Sequence, residues 1–188
     1  MNWFDDYRDK LGIRYESFFN LFTEASNRRL KNIVETGTSR GKDKFYYLRP
    51  KINWKDGMST MIFSDYAKFV NGKLTSCDIE KNNIKNAKKF VGNNKEFVEF
   101  VMDDSIKFLS SFNKNIDFLY LDSLDGQFKE ASDHQLKEIK VAKSKLHRKS
   151  LVLLDDKGSK TNLSIDFMLE NNFKIINETK EQVLLGYE

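Results

Sequence analysis

The chain has 188 residues and a formal net charge of +4, with 32 Lys and Arg against 28 Asp and Glu. That length suits one domain with a substantial core, and so small a positive excess argues against a dedicated nucleic-acid binder while allowing a local basic patch. A single cysteine excludes an internal disulfide and fits a reducing compartment. Asp5, Asp6 and Asp9 interrupt any apolar signal core, and no apolar run reaches membrane-spanning length. The expectation is a soluble cytoplasmic protein with no membrane partner.

In chain order, residues 3–31 read as mostly helical, with Phe18, Phe19, Leu21 and Phe22 close together. Ile33–Thr36 reads as a strand, Ser59–Val70 as a helix and Lys73–Cys77 as a second strand. Lys81–Val91 carries Ile84, Ala87, Phe90 and Val91 on one helical stripe. Phe97–Met102 is a third strand, followed by a short helix through Leu109. Ile116–Leu121 is a fourth strand and ends at Asp122. His134–Leu146 reads as a helix, Leu151–Leu154 as a strand ending at Asp155 and Asp156, and Thr161–Asn171 as a helix. Phe173–Ile176 and Val183–Tyr187 close the chain as a hairpin. Strands alternating with helices predict an α/β domain over 1–188, with helices on both faces of a mostly parallel sheet and 1–31 as a helical cap.

The first strand runs into Glu35-Thr-Gly-Thr-Ser-Arg-Gly41, a turn with two glycines four apart. The second strand ends at Asp78. Glycines let the backbone approach a ligand closely, and an acid after the next strand accepts hydrogen bonds from ribose hydroxyls. The turn lacks the full Gly-x-Gly-x-x-Gly pattern, and Glu35 before it would repel a pyrophosphate. A nucleoside carrying positive charge fits better, and S-adenosylmethionine is such a ligand. Between turn and acid lies Lys42–Asp56, which has little helical period and holds the only proline, Pro50. Without 42–56 the spacing from Gly41 to Asp78 shrinks to about 22 positions, near the roughly 20 expected. The segment reads as an insertion at the ligand edge: a lid or substrate loop, or a loop packing its aromatics on the body.

Asp122, Asp155 and Asp156 end neighbouring parallel strands and should gather at one edge of the sheet. Like charges held close need a cation or a proton between them, and three carboxylates plus waters suit Mg²⁺. The alternative is that Asp122 faces the bound nucleoside while the pair caps the following helix. Asp78, Asp104 and Ser105 could likewise cap helices as well as bind. Cys77 reads as a small buried apolar residue.

With these residues placed, the chain resembles class I S-adenosylmethionine-dependent methyltransferases, most closely the small O-methyltransferases that include the catechol-type enzymes and their bacterial relatives. The resemblance runs from about Asn32 to the C-terminus. Val34–Gly41 is similar to the family's first motif, Asp78 stands where its ribose acid belongs, and Asp103-Asp104-Ser105 resembles its adenine-contacting turn, with Asp103 in place of a common glycine. The resemblance implies a Rossmann-like seven-stranded sheet with Val183–Tyr187 as its antiparallel last strand. It implies a donor site of Glu35, Thr36, Gly37, Thr38, Ser39, Gly41, Ser59, Asp78, Ile79, Asp104, Ser105 and Asp122. It further implies a divalent ion on Asp122, Asp155 and Asp156, with Asp156 where those enzymes often have Asn.

Catechol-type enzymes carry a lysine base three positions after the first metal acid; here that position is Asp125. His134 is a candidate base, since a near-neutral histidine suits proton abstraction, although Ser132 and Gln135 read as a capping box that would place it structurally. Lys157 is another candidate base or substrate contact, and His147 reads as a solvated surface residue. The expected activity is O-methylation of a small-molecule or sugar hydroxyl. The alternatives are methylation of an RNA ribose, whose Lys-Asp-Lys-Glu set is not apparent, and a nucleoside-binding protein without turnover. Asn-Pro-Pro-Tyr and Pro-Cys motifs of nucleobase methylation are absent. A homo-oligomer is compatible with the sequence.

Overall fold

The computed structural model describes residues 2–41, 52–54 and 58–187. Most of the expected insertion, including Phe45, Tyr46 and Tyr47, lies outside the described residues. Seven strands form one sheet: β1 (Asn32–Thr36), β2 (Lys73–Asp78), β3 (Val98–Met102), β4 (Ile116–Leu121), β5 (Leu146–Leu154), β6 (Lys174–Glu178) and β7 (Val183–Gly186). Their order is β3-β2-β1-β4-β5-β7-β6. The first five run parallel, and β7 lies antiparallel between β5 and β6. This is the expected Rossmann-like α/β fold.

The central strands are apolar in runs because both faces are covered. Ile33, Phe118, Tyr120, Leu151, Leu153 and Leu184 face a cluster built with α3 (Tyr15–Asn27) and α4 (Ser59–Phe69). Val34, Leu119, Leu121, Val152 and Leu154 face the other side, against α6 (Ser105–Ser111), α7 (Ala131–Ala142) and α8 (Asn162–Glu170). One further helix, α5 (Lys81–Phe90), buries Ile84 and Ala87.

Two expected helices differ from the structure. The N-terminal stretch is divided into α1 (Asn2–Asp5), α2 (Arg8–Leu11) and α3, and the break before α3 falls at Gly12, which takes φ +54° and starts a single 3-10 turn. The break leaves Arg14 at the start of α3. The helix expected over His134–Leu146 covers Ala131–Ala142 instead, and Leu146 already belongs to β5, paired with Ile116. Ser150 drives that early pairing: its hydroxyl donates to the Ile116 carbonyl (2.6 Å) and accepts from the His147 N–H (2.8 Å). The same turn corrects the reading of His147 as merely solvated, since its Nε2 lies 2.8 Å from Asp117 Oδ1.

Strand register positions the site. Thr36 pairs with Leu121, and Leu121 with Leu154. The ladder continues past the strand ends, with Asp122 N–H donating to the Thr36 carbonyl at 3.0 Å and Gly37 N–H to the Cys77 carbonyl at 2.8 Å. The glycine turn, Asp78, Asp122 and Asp155 therefore share the carboxyl edge of the sheet, where open α/β folds bind ligands.

Candidate active site

Gly37 is fixed by two constraints. Its φ is +85°, and a Cβ there would stand 2.2 Å from the Asp122 carbonyl oxygen. The turn can lie against β4 only without a side chain. Gly37→Ala is expected to store about 1–3 kcal/mol of backbone strain and to push the turn off Asp122. Thermal melts and calorimetry with S-adenosylhomocysteine check this; an unchanged melting temperature together with unchanged affinity would refute it.

The turn is held from three directions. Asp78 Oδ2 accepts from the Thr38 N–H (2.9 Å) and the Thr38 hydroxyl (3.0 Å). Asp78 Oδ1 accepts from the Glu80 N–H at 2.7 Å, and Asn83 Nδ2 reaches both oxygens. Ser39 and Thr60 clasp reciprocally: the Ser39 N–H donates to the Thr60 hydroxyl oxygen, and the Thr60 N–H to that of Ser39. Beneath them Glu35 is wholly buried and accepts from the hydroxyls of Ser59 (2.5 Å), Thr60 (2.7 Å) and Ser76 (2.6 Å). Burial pushes its carboxyl up to about 7, against the pull of those three hydroxyls, with Asp78 adding to the rise.

Two cavities flank the turn. One of about 150 Å³ is lined by Asp78, the exposed Ile79, Asp104, Ser105, Leu124 and His134. Asp104 caps α6 by accepting from the Lys107 N–H at 3.0 Å, and Ser105 Oγ lies 3.0 Å from His134 Nε2. Cys77, on the same wall, is buried, and burial pushes its thiol up to about 12. A neighbouring cavity of about 30 Å³ is lined by Thr38, Arg40, Asp78, Asn83, Asp122 and Asp125. Arg40 bridges to both Asp125 oxygens there (3.0 and 3.2 Å). Asp125, three positions after Asp122, is therefore an acid paired with the glycine turn.

Across Asp122 lies a second region. A small cavity of about 20 Å³ is lined by Arg14, Phe18, Trp54, Ser59, Tyr120 and Asp122. It shares Leu11, Arg14 and Trp54 with a cleft of about 400 Å³ that adds Lys10, Ile13 and Glu181. Trp54 packs edge-to-face on Tyr7 (5.8 Å between centroids), and Lys10 Nζ lies 5.0 Å over its ring.

Asp122, Asp155 and Asp156 do converge, but on cations of the chain itself. Lys160 Nζ lies 2.7 Å from Asp122 Oδ1, 3.0 Å from Asp156 Oδ2 and 2.9 Å from the Leu124 carbonyl. Arg14 lies 3.2 Å from Asp155 and 3.7 Å from both Asp156 and Glu181. Among the described residues no group of three or more His, Cys, Asp and Glu is arranged to hold a metal ion. This corrects the expected Mg²⁺ site: an ammonium occupies the position that would bridge Asp122 and Asp156, so the residues do not fit the ion. Burial, and then Asp155, push the Asp122 carboxyl upward while Lys160 opposes them. Burial works against the Lys160 ammonium, but Asp122, Asp156 and Asp155 outweigh it and hold the lysine charged.

His134 and Lys157 stand apart from that cluster. His134 lines the cavity of Asp78 and Ser105, 3.8 Å from Glu138. The capping box expected at Ser132 and Gln135 is absent: α7 begins at Ala131, with Glu130 preceding it and no side-chain cap. Lys157 pairs with Glu178 at 2.7 Å. Sequence reasoning missed Arg14, Lys160 and Glu181. Lys160, four residues beyond Asp156, was the available signal; Arg14 and Glu181 are joined to the site only by tertiary structure.

A glycine turn, an acid ending β2 and a β4 acid meet at one edge of a sheet with an antiparallel seventh strand, the arrangement expected of a class I S-adenosylmethionine-dependent methyltransferase. The family described as "Methyltransferase domain" matches residues 54–157, more than half of the chain, and the protein belongs to it. No curated protein sequence matches the chain. Among solved structures it is similar to S-adenosylhomocysteine-bound PaMTH1 from Podospora anserina, with a TM-score of 0.65 and 11% identity over 100% of this chain and 85% of that one. A candidate O-methyltransferase from Klebsiella pneumoniae gives 0.62 and 12%, over 90% and 79%. NSun6 from Pyrococcus horikoshii gives 0.59 and 13%, over 87% of this chain but only 49% of that one. At these identities the likeness shows the fold. Among the described residues no helix is long and apolar enough to cross a membrane.

Proposed function

We propose that the protein methylates a hydroxyl oxygen, with the donor held over the glycine turn and the acceptor in the cleft between residues 10–14, Trp54 and Asp122. The observation that carries this reading is the position of Asp122, which lines both the donor-side cavity with Asp78 and the acceptor-side cavity with Tyr120. Ribose hydroxyls would meet Asp78, and the adenine would lie by Ile79, Asp104, Ser105 and His134. The sulfonium methyl then faces the cleft across Asp122. An acceptor oxygen attacks that carbon in line as the carbon–sulfur bond breaks. The donor leaves as a neutral thioether, and the hydroxyl proton passes to the Asp122 carboxylate. Holding the two reactants at contact supplies most of the acceleration, and the proton acceptor adds to it.

Asp78→Ala should cost roughly 1.5–3 kcal/mol of donor binding, as expected for a lost hydrogen bond to a charged group. Calorimetry with S-adenosylhomocysteine reads it, and equal affinity would remove Asp78 from the donor site. The reaction itself is tested with labelled S-adenosylmethionine against catechols, sugars and RNA. The expected result is a methyl ether whose formation Asp122→Asn abolishes while S-adenosylhomocysteine still binds. A product methylated only on nitrogen or carbon would overturn the reading. So would donor binding without transfer to any acceptor, which is the outcome for a nucleoside-binding protein without turnover.

A second reading, methylation of an RNA ribose, is favoured by Arg14, Asp122, Lys160 and Glu181. Arg14 pairs with Glu181 and Lys160 with Asp122, Asp156 links the two pairs, and arginine stands for one lysine of the ribose-methylating set. Two proteins of similar fold are described as rRNA methylases, one from Clostridium thermocellum and one from Streptococcus thermophilus. Methylation of RNA but not of small hydroxyl compounds in the same assay would select it.

A further inference from the structure

We propose that Lys160 is a positioning residue that takes the electrostatic place of a divalent ion, so that the protein's methyl transfer needs no bound metal. The proposal rests on the hydroxyl-methylation reading for its chemistry. Three oxygens surround the ammonium, at 2.7, 2.9 and 3.0 Å, one for each of its protons. Lys160 is only 2% exposed, so a divalent ion could enter only by displacing a buried charge. The backbone fixes its approach: Gly158 takes φ +86°, and the Lys160 N–H donates to the Asp156 carbonyl at 3.2 Å. Arg14 covers the opposite side of the acids, on Asp155, Asp156 and Glu181.

The replacement changes how the site works. A metal would bind the acceptor oxygen directly and lower its pKa. The ammonium lines neither cavity beside Asp122 and acts through that carboxylate. It holds Oδ1 and leaves the second oxygen for the acceptor hydroxyl. The negative charge not balanced by the two cations suits a donor that arrives as a sulfonium.

The test uses Mn²⁺ as probe, followed by electron paramagnetic resonance on the full chain with and without S-adenosylhomocysteine. The wild-type protein is expected to leave the free-ion signal unchanged. Lys160→Ala should bind Mn²⁺ at least tenfold more tightly, because Asp122 and Asp156 lose their cation, and Lys160→Arg should exclude the ion again. Wild-type Mn²⁺ binding that Asp122→Asn abolishes would overturn the proposal. So would a folded Lys160→Ala that binds the ion no better than wild type. Should Lys160→Ala not fold, the wild-type titration decides alone: exclusion of Mn²⁺ supports the proposal and capture at Asp122 overturns it. Failure to methylate any hydroxyl would sink the functional reading and leave the Mn²⁺ result standing, so the two are distinguishable.

Discussion

Alanine at Phe63 is expected to destabilise the protein by about 3–5 kcal/mol, the usual cost of deleting a buried phenyl ring. Phe63 is fully buried where α4 meets α3 and the sheet. Its ring meets Phe118 edge-on at 5.0 Å and Tyr120 at 5.1 Å, with Phe18 at 5.6 Å and Phe22 at 6.1 Å. No single neighbour can move into the space, because each is held by its own helix or strand. Urea unfolding of Phe63→Ala measures the loss; a change below about 1 kcal/mol would mean that the aromatic layer repacks freely. Since Tyr120 also lines the cavity beside Asp122, the variant should weaken the proposed acceptor side as well.

The second large effect concerns Glu35 and pH. Its carboxyl moves from an ordinary 4.5 to about 7 in the folded protein, chiefly through burial. Between those values the unfolded chain has already released the proton that the folded protein keeps. Raising the pH through that window therefore favours unfolding by about 1.4 kcal/mol per unit, about 3 kcal/mol in all. Glu35→Gln cannot titrate, so its stability should fall much less between pH 4.5 and 7, apart from what Asp122 and Glu138, both also raised by burial, still contribute. Denaturant midpoints across that range compare the two proteins. Parallel curves would show that Glu35 does not titrate in the fold.

The parts of this architecture written in local sequence are the ones the sequence made legible. Apolar runs such as Ile116–Leu121 and the breaks around them reveal strands buried on both faces, and Gly37 with Asp78 marks the carboxyl edge of the sheet, where the donor is proposed to bind. What stayed hidden depends on contacts between distant residues. That the cation for Asp122 is Lys160 follows from the turn at Gly158, and that Arg14 covers Asp155 follows from the break at Gly12, which leaves it at the start of α3. The short polar link 143–145 read as more helix because nothing in it forbids helix; Ser150, further along, ends it by pulling β5 onto Ile116. The acids alone pointed to a metal, because carboxylate count says nothing about which side chain neutralises them.

The contacts of Arg14 carry a consequence for how the protein forms. They tie a residue near the beginning of the chain to Asp155 and to Glu181, just ahead of the last strand. Contacts that close so much of the polypeptide come at a high entropy of loop closure and form late. The parallel strands β1 to β4 can pair before then, but the charge balance around Asp155 is complete only when the first and last segments have both docked. The protein should therefore pair its parallel strands before it completes that charge cluster, and a nascent chain still lacking β7 would hold the glycine turn without the finished cluster around Asp155.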